Sequence, residues 1–247
     1  MHEFRVERAL IRQRLHQEQK AAALKGSEEE LIASRTWKAT QVRRLLESLK
    51  PITEDTCVLE VGSGAHGLIF FLGASKRIGI DPLASSYVSL FPAWQGEADT
   101  ATAIGEALPF PDHSFEVVIS DNVVDHAKDP ALILAEIARV LEPGGLFYFT
   151  VNVHHPIYAW VSMLHAGWQA LGIPYELGPF ADHTVHLTLN QARHLFEGLP
   201  LRIVHEQAYF DESKAAMSRT QPRHWGDRIK RLFFKNVPFE VVATREP

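Results

Sequence analysis

The stretch CVLEVGSGAHG, residues 57–67, decides the fold, because a short apolar run leads directly into three closely spaced glycines. Glycines let the backbone turn sharply and approach a ligand closely, with the amide groups of the loop facing that ligand. A second apolar stretch, RIGID at residues 77–81, ends in Asp81. A carboxylate at the end of that strand can accept hydrogen bonds from both hydroxyls of a ribose. Together these features predict a site for a nucleoside-containing ligand at the edge of a sheet.

Two more apolar runs, at residues 115–120 and 145–151, bring the predicted set to four strands. Continuous apolar strands are typical of a parallel sheet that is covered on both faces. Between these two runs, Asp129 and Pro130 predict the start of a helix, and the Pro-Gly-Gly at 143–145 predicts its end. The alternation predicts βαβ units and a doubly wound α/β fold. Later strands are expected at residues 184–189, 201–209 and 239–244.

Four regions of different character follow along the chain. Residues 1–50 are polar and predict an N-terminal helical arm or cap, and residues 51–247 form the main domain. Within that domain, 153–182 is a predicted helical insertion that serves as a lid, a substrate lobe or plain packing, and 211–236 is a basic helical segment. In the arm, one apolar stripe is expected before Pro51. Its members are Val42, Leu45, Leu46 and Leu49.

Composition excludes several classes of protein. The chain has 247 residues, is 46% hydrophobic and carries 25 basic against 30 acidic side chains, which argues against a wide nucleic-acid surface. It has no apolar run long enough to span a membrane, and its first thirty residues are charged throughout, so a soluble cytoplasmic protein is expected. The single cysteine, Cys57, excludes an intrachain disulfide and a zinc cluster built on thiolates.

The loop also fits the G-x-G-x-x-G pattern of nicotinamide-dependent oxidoreductases, and three features argue against that function. Glu60 stands two residues before the first glycine, where it would repel a pyrophosphate but suit a ligand that carries an ammonium group. The motif GEALPFPDHSFEVV occupies 105–118, and RVLEPGG occupies 139–145.

With these motifs in this order, residues 56–152 resemble the class I S-adenosylmethionine-dependent methyltransferases of the small-molecule type. The resemblance implies a Rossmann-like, mostly parallel, seven-stranded sheet. It also implies S-adenosylmethionine as methyl donor and S-adenosylhomocysteine as product. The usual loop is G-x-G-x-G, whereas here His66 makes the last gap one residue longer, which leaves the role of Gly67 open.

Site residues follow from the resemblance position by position. Glu60 would face the amino end of the methionine portion, Asp81 the ribose hydroxyls, and Glu106 the adenine amine, while the Ala107 backbone N–H would meet the adenine ring. The remaining predicted cofactor contacts are Gly62, Ser63 and Gly64 in the loop, Pro82 beside the adenine, Asp121 and Asn122 beside the methionine portion, and His126.

The fourth strand runs into His154 and His155, near the place that a methyl acceptor must occupy. His155, and then His154, is the candidate general base or acceptor-orienting group. Together with these two histidines, Asp182, His183 and His186 raise the alternative of a metal. A strand at 184–189 would point His183 and His186 to opposite faces, so no metal is predicted.

The predicted function is in-line methyl transfer to O or N of a small molecule or of a glycan or lipid precursor. The predicted partner is therefore a small-molecule acceptor. Three alternatives stay open: an inactive, methyltransferase-like binding subunit; a nucleic-acid methyltransferase, supported by the basic segment alone; and a nicotinamide oxidoreductase.

Overall fold

The computed structural model describes residues 2–24, 26–73, 76–157, 186–219 and 236–247. Its strands are β1 Cys57–Val61, β2 Lys76–Ile80, β3 Asp99–Ala101, β4 Phe115–Asp121, β5 Leu141–Val153, β6 Leu201–Ala208 and β7 Val237–Arg245. Within the described residues these seven strands form one sheet, in the order β3-β2-β1-β4-β5-β7-β6. Strands β1 to β5 run parallel, and β7 pairs antiparallel with both β5 and β6. The predicted doubly wound, mostly parallel α/β sheet is confirmed.

Helices lie on both faces of the sheet. They are α1 His2–Leu24, α2 Glu29–Glu47, α3 Ala84–Leu90, α4 Pro92–Gln95, α5 Pro130–Val140, α6 Leu189–His194 and α7 Phe210–Arg219, with 3₁₀ turns at Leu68–Phe70 and Val124–His126. As predicted, α5 begins with Pro130, and the Asp129 side chain accepts hydrogen bonds from the N–H groups of Ala131 and Leu132. This cap satisfies two of the backbone donors that every helix leaves open at its start.

The side chains of β1 show how the sheet divides the core. Val58 packs with Val42 and Leu46 of α2 on one face, whereas Leu59 packs with Ile137 of α5 on the other. Successive residues of a strand point to opposite faces, so a strand that is apolar at every position fits a sheet buried on both sides.

The predicted apolar stripe of the N-terminal arm is wrong at its last member. Helix α2 ends at Glu47, and Leu49 is exposed, so the fully buried part of the stripe ends at Leu46. The chain leaves the helix before Leu49 can reach the core.

The prediction of a strand at 184–189 is also wrong for the described residues of that stretch, which begin at His186. Residues 186–188 form no strand, and α6 begins at Leu189. The Thr188 hydroxyl accepts from the Gln191 N–H, and the Gln191 side chain accepts from the Thr188 N–H. This reciprocal capping box favours a helix start over a continued strand.

Parts of two predicted segments lie outside the described residues. These are 158–185, which includes most of the insertion together with Asp182 and His183, and 220–235 of the basic segment. At the start of the basic segment, α7 extends to Arg219. Within the described part of the chain, no helix combines the length and apolar character needed to cross a membrane.

Candidate active site

The glycine loop, residues 62–67, lies at the carboxyl ends of β1 and β2. Gly62 and Gly64 have φ angles of +74° and +55°, in the left-handed region that glycine adopts most easily. The N–H groups of Gly62 and Ser63 both donate to the carbonyl oxygen of Ile80, at 2.8 and 2.9 Å. The loop is thereby fastened to the end of β2, immediately beside Asp81.

Gly62 is required by the packing of the protein itself. A Cβ atom built at this position would lie 2.5 Å from Cγ1 of Val123, far inside contact distance. The sequence interpretation assigned the loop glycines to sharp turning and to close approach by a ligand. For Gly62 the turn is observed, and the close neighbour is Val123.

Gly64 opens onto the space in front of Asp81. An added Cβ would meet no heavy atom nearer than 3.9 Å, the distance to both Oδ2 of Asp81 and the Gly62 carbonyl oxygen. The Asp81 carboxylate accepts the N–H of Gly64 at 3.1 Å and that of Leu83 at 2.8 Å, across the turn that contains Pro82. Burial raises the pKa of Asp81, and these two hydrogen bonds oppose that shift. Each oxygen keeps acceptor capacity, so this fixed carboxylate beside an open space fits ribose hydroxyls.

Glu60 lies beneath the loop and is almost fully buried. Its two oxygens accept the N–H groups of Leu68 and Ile69, at 3.1 and 2.7 Å. Burial raises its pKa to about 8, and the nearby Asp121 contributes to the increase. A Cβ at Gly67 would lie 2.5 Å from the Glu60 carboxylate, so Gly67 lets the loop close over this acid. That contact supplies the role that the sequence left open for Gly67.

His66, the extra residue of the loop, is a structural anchor that the sequence did not reveal. Its ring packs edge-on against Phe91, with centroids 4.6 Å apart, and lies 5.3 Å from the ring of Trp94. Burial, together with the nearby Lys20 and Arg35, lowers its pKa to about 3, so the ring is neutral. The longer loop is therefore held by aromatic contacts with Phe91, which lies between α3 and α4, and with Trp94 of α4.

The ends of β4 and β5 form the second half of the site. Asp121 ends β4, and its carboxylate accepts from the Thr150 hydroxyl at 2.6 Å and from Nζ of Lys38 at 2.6 and 2.8 Å. Asn122 follows with a φ angle of +58°, and its side-chain oxygen accepts from Nδ2 of Asn152. Lys38 comes from α2, 83 residues before Asp121, and no local motif could have indicated it.

The residues predicted to contact adenine are partly engaged within the protein. Oε1 of Glu106 accepts the N–H groups of Lys128 and Asp129, at 3.0 and 3.4 Å. The Ala107 N–H donates to the Ile104 carbonyl at 3.3 Å. Glu106 thus connects two loops at this edge of the sheet and keeps its second oxygen available for other donors.

His126, also predicted to contact the cofactor, lies in the 3₁₀ turn after β4. Its ring is half exposed, and its Nε2 atom lies 3.7 Å from Oδ1 of the buried Asp125.

The two candidate histidines lie in different environments. His154 is fully buried and accepts the Asn236 N–H at Nδ1, and its ring centroid lies 4.9 Å from that of the tilted His186 ring. His155 is half-buried, and its Nδ1 accepts the Ile157 N–H at 3.2 Å. Both histidines follow the carboxyl end of β5. Because β1, β4 and β5 are parallel, the histidines lie at the same edge of the sheet as Asp121. Among the described residues, no group of three histidine, cysteine or acidic side chains is arranged to hold a metal ion.

Comparison with known proteins identifies the domain. Residues 59–149 match the family described as a methyltransferase domain. A stretch of 136 residues, 53% of this chain, is 32% identical to an uncharacterized methyltransferase of Mycobacterium sp. (strain JLS). A second relative is the dimethylglycine N-methyltransferase of Parasynechococcus marenigrum, 27% identical over 55% of this chain and 58% of that protein.

The fold has a counterpart among solved structures. Geranyl diphosphate C-methyltransferase from Streptomyces coelicolor A3(2), in complex with Mg²⁺, geranyl diphosphate and S-adenosylhomocysteine, superposes with a TM-score of 0.59. The match covers 83% of this chain and 78% of that one, at 14% identity. The family match and the fold together identify residues 59–149 as a methyltransferase domain with a class I, Rossmann-like fold. The chain spans 44% of the length of the mycobacterial relative.

Proposed function

We propose that this protein transfers a methyl group from S-adenosylmethionine to an oxygen or nitrogen of a small molecule or of a glycan or lipid precursor. One observation carries the proposal: the open space at Gly64 faces the fixed carboxylate of Asp81, inside a methyltransferase domain. A ribose at this position would place the rest of the cofactor along the carboxyl ends of β1 and β4.

The cofactor residues proposed from the sequence would each contact one part of a cofactor that lies along these strand ends. Asp81 would accept the ribose hydroxyls, and Glu106 and Ala107 would border the adenine. Asp121 and Asn122 would border the methionine portion. The bound cofactor supplies a methyl group that its sulfonium already makes electrophilic. The protein then mainly aligns the two reactants, an effect that can contribute about 7–11 kcal/mol toward lowering a barrier.

The named substrates of two similar proteins are small molecules, which supports a small acceptor here. One is a dimethylglycine N-methyltransferase, and the structural counterpart is a geranyl diphosphate C-methyltransferase. For a hydroxyl acceptor, a general base would take the proton, and His155 is our first candidate. Its half-buried ring is better placed for this than that of His154, which is fully buried.

Calorimetric titration with S-adenosylmethionine, S-adenosylhomocysteine and NAD tests the proposal. We expect the two adenosyl ligands to bind and NAD not to bind. Asp81→Ala should weaken binding by about 1.5–3 kcal/mol, the scale of lost hydrogen bonds to a charged group. Asp99→Ala is the matched control, because Asp99 is an exposed acid at the opposite end of the neighbouring strand β3. Preferred binding of NAD, or equal affinity of the Asp81 and Asp99 variants, would overturn the proposal.

A further inference from the structure

The predicted cofactor contacts leave one charge without a partner. They include four acids, Glu60, Asp81, Glu106 and Asp121, and no lysine or arginine. The methionine portion of the cofactor carries an α-carboxylate as well as an α-ammonium group. Ionised acids alone would repel that carboxylate, and a cation near the end of β4 would offset this repulsion.

Lys38 brings a cation to this place from outside the sheet. Its Nζ atom lies 2.6 and 2.8 Å from the two oxygens of Asp121, the last residue of β4. Thr150 donates to Oδ1 of the same carboxylate, so Asp121 is held from two sides. The Lys38 side chain is 38% exposed, whereas that of Asp121 is 10% exposed. The lysine is therefore the more accessible member of the pair.

Buried residues of α2 and of the glycine loop belong to one hydrophobic cluster, so the helix packs near the loop. Lys38 is close enough to Glu60 to lower the pKa of that acid. Arg35, one turn earlier on α2, is close enough to His66 to lower the pKa of its ring. The Lys38 ammonium therefore lies beside Asp121, the acid that borders the methionine portion in the proposed function, and near Glu60.

We propose that Lys38 binds the α-carboxylate of the methionine portion of S-adenosylmethionine, with Asp121 and Thr150 orienting its ammonium group. This inference rests on the proposed function and adds to it a binding residue from the N-terminal arm. An ammonium group has three donors, so it can keep its contact with Asp121 and still donate to a second carboxylate. The arm is thus part of the cofactor site.

Binding of S-adenosylmethionine and of its decarboxylated form tests the inference directly, because the two ligands differ by the carboxylate alone. We expect Lys38→Met to lower the affinity for S-adenosylmethionine about ten- to a hundredfold, the scale of a lost charge-assisted hydrogen bond. The affinity for the decarboxylated form should not change. Lys38→Arg should retain most of the affinity for both ligands. Calorimetry on the full chain gives these ratios without any acceptor.

The control is Lys50→Met. Lys50 lies 4.0 Å from Glu116, near the opposite end of the same strand β4, so its loss should affect neither ligand. Lys38→Met leaves a mostly buried acid without its counter-ion. If that variant unfolds, the double variant Lys38→Met with Asp121→Asn, compared with Asp121→Asn alone, keeps the test valid.

Three results would overturn the inference while leaving the proposed function intact. In the Lys38→Met variant, these are an equal loss of affinity for both ligands, tighter binding of both ligands, or unchanged affinity for both. Tighter binding would mean that Lys38 competes with the cations of the cofactor for Asp121. If the unmodified chain bound neither ligand, the proposed function would fail together with this inference.

Discussion

The two ends of the candidate site are built from the chain in different ways. The β1–β2 end, defined by Gly62, Gly64 and Asp81, comes from one strand–loop–strand unit, and its hydrogen bonds join neighbouring parts of that unit. The β4–β5 end, defined by Asp121, Thr150 and His155, depends on a lysine 83 residues away. The first end is therefore specified by a local motif, whereas the second requires the helical arm to pack on the sheet.

The largest expected effect tests the β4–β5 end. An acceptor is first found by screening small amines and hydroxyl compounds for S-adenosylhomocysteine release. With that acceptor, His155→Ala should lower turnover by about 10²–10⁴-fold, the usual contribution of a general base. Its cofactor affinity and melting temperature should not change. His154→Ala should instead lower the melting temperature, because that ring is buried against His186. Undiminished turnover of the His155 variant would remove this residue from the mechanism.

The next effect tests whether the β1–β2 end depends on local packing. Gly62→Ala should destabilise the protein by about 2–4 kcal/mol, because the new methyl group overlaps Val123 and the residue keeps a positive φ angle. Chemical denaturation measures the change. Gly198→Ala separates the two causes, since Gly198 has a φ angle of +76° and open space around it. Adding Val123→Ala to Gly62→Ala should restore part of the loss, and equal losses at the two glycines would contradict the packing explanation.

A smaller effect concerns Glu60, which lies beneath the glycine loop. Glu60→Gln should cost about 1–3 kcal/mol, because an amide cannot accept both the Leu68 and Ile69 N–H groups. The difference should also depend on pH. The folded protein raises the pKa of Glu60 from 4.5 to about 8, so its favourable contribution is present at low pH and is lost as the pH rises toward 8. The stability gap between wild type and variant should therefore narrow from pH 5 to pH 8.5, and a gap that widens would refute the assignment.

The smallest effect lies where the chain returns to the β4–β5 end. Thr188→Ala should destabilise the protein by about 1 kcal/mol, through loss of the capping box that starts α6. Thr36→Ala, at an exposed position inside α2, provides the control and should change stability by less than about 0.5 kcal/mol. Thermal unfolding of both variants gives the comparison, and equal melting temperatures would show that the cap contributes nothing.

Features that depend on residues close together in the sequence were easier to predict than features that depend on distant ones. The strand, loop and acid of the β1–β2 end lie close together in the chain, so their spacing alone predicted where Asp81 would stand. The Asp129 cap of α5 was predicted for the same reason. Thr188 was misread because two apolar residues in a short stretch suggest a strand, whereas the reciprocal hydrogen bonds with Gln191 favour a helix.

Long-range contacts were beyond the reach of any such pattern. Lys38 is one of several basic residues on a polar helix, and its pairing with Asp121 arises from the packing of α2 on the sheet. His66 is one extra loop residue in the sequence, and its burial depends on Phe91 and Trp94, which come from a later part of the chain.

By itself, the sequence determined the parallel sheet, the glycine loop and the acids at its strand ends, because short-range spacing and apolar periodicity carry that information. Only the tertiary structure decided that Val123 is the close neighbour of Gly62, that Gly67 covers Glu60, and that Lys38 faces Asp121. Those contacts join segments whose separation along the chain says nothing about their distance in space, and they exist only once the hydrophobic core has packed the helices against the sheet.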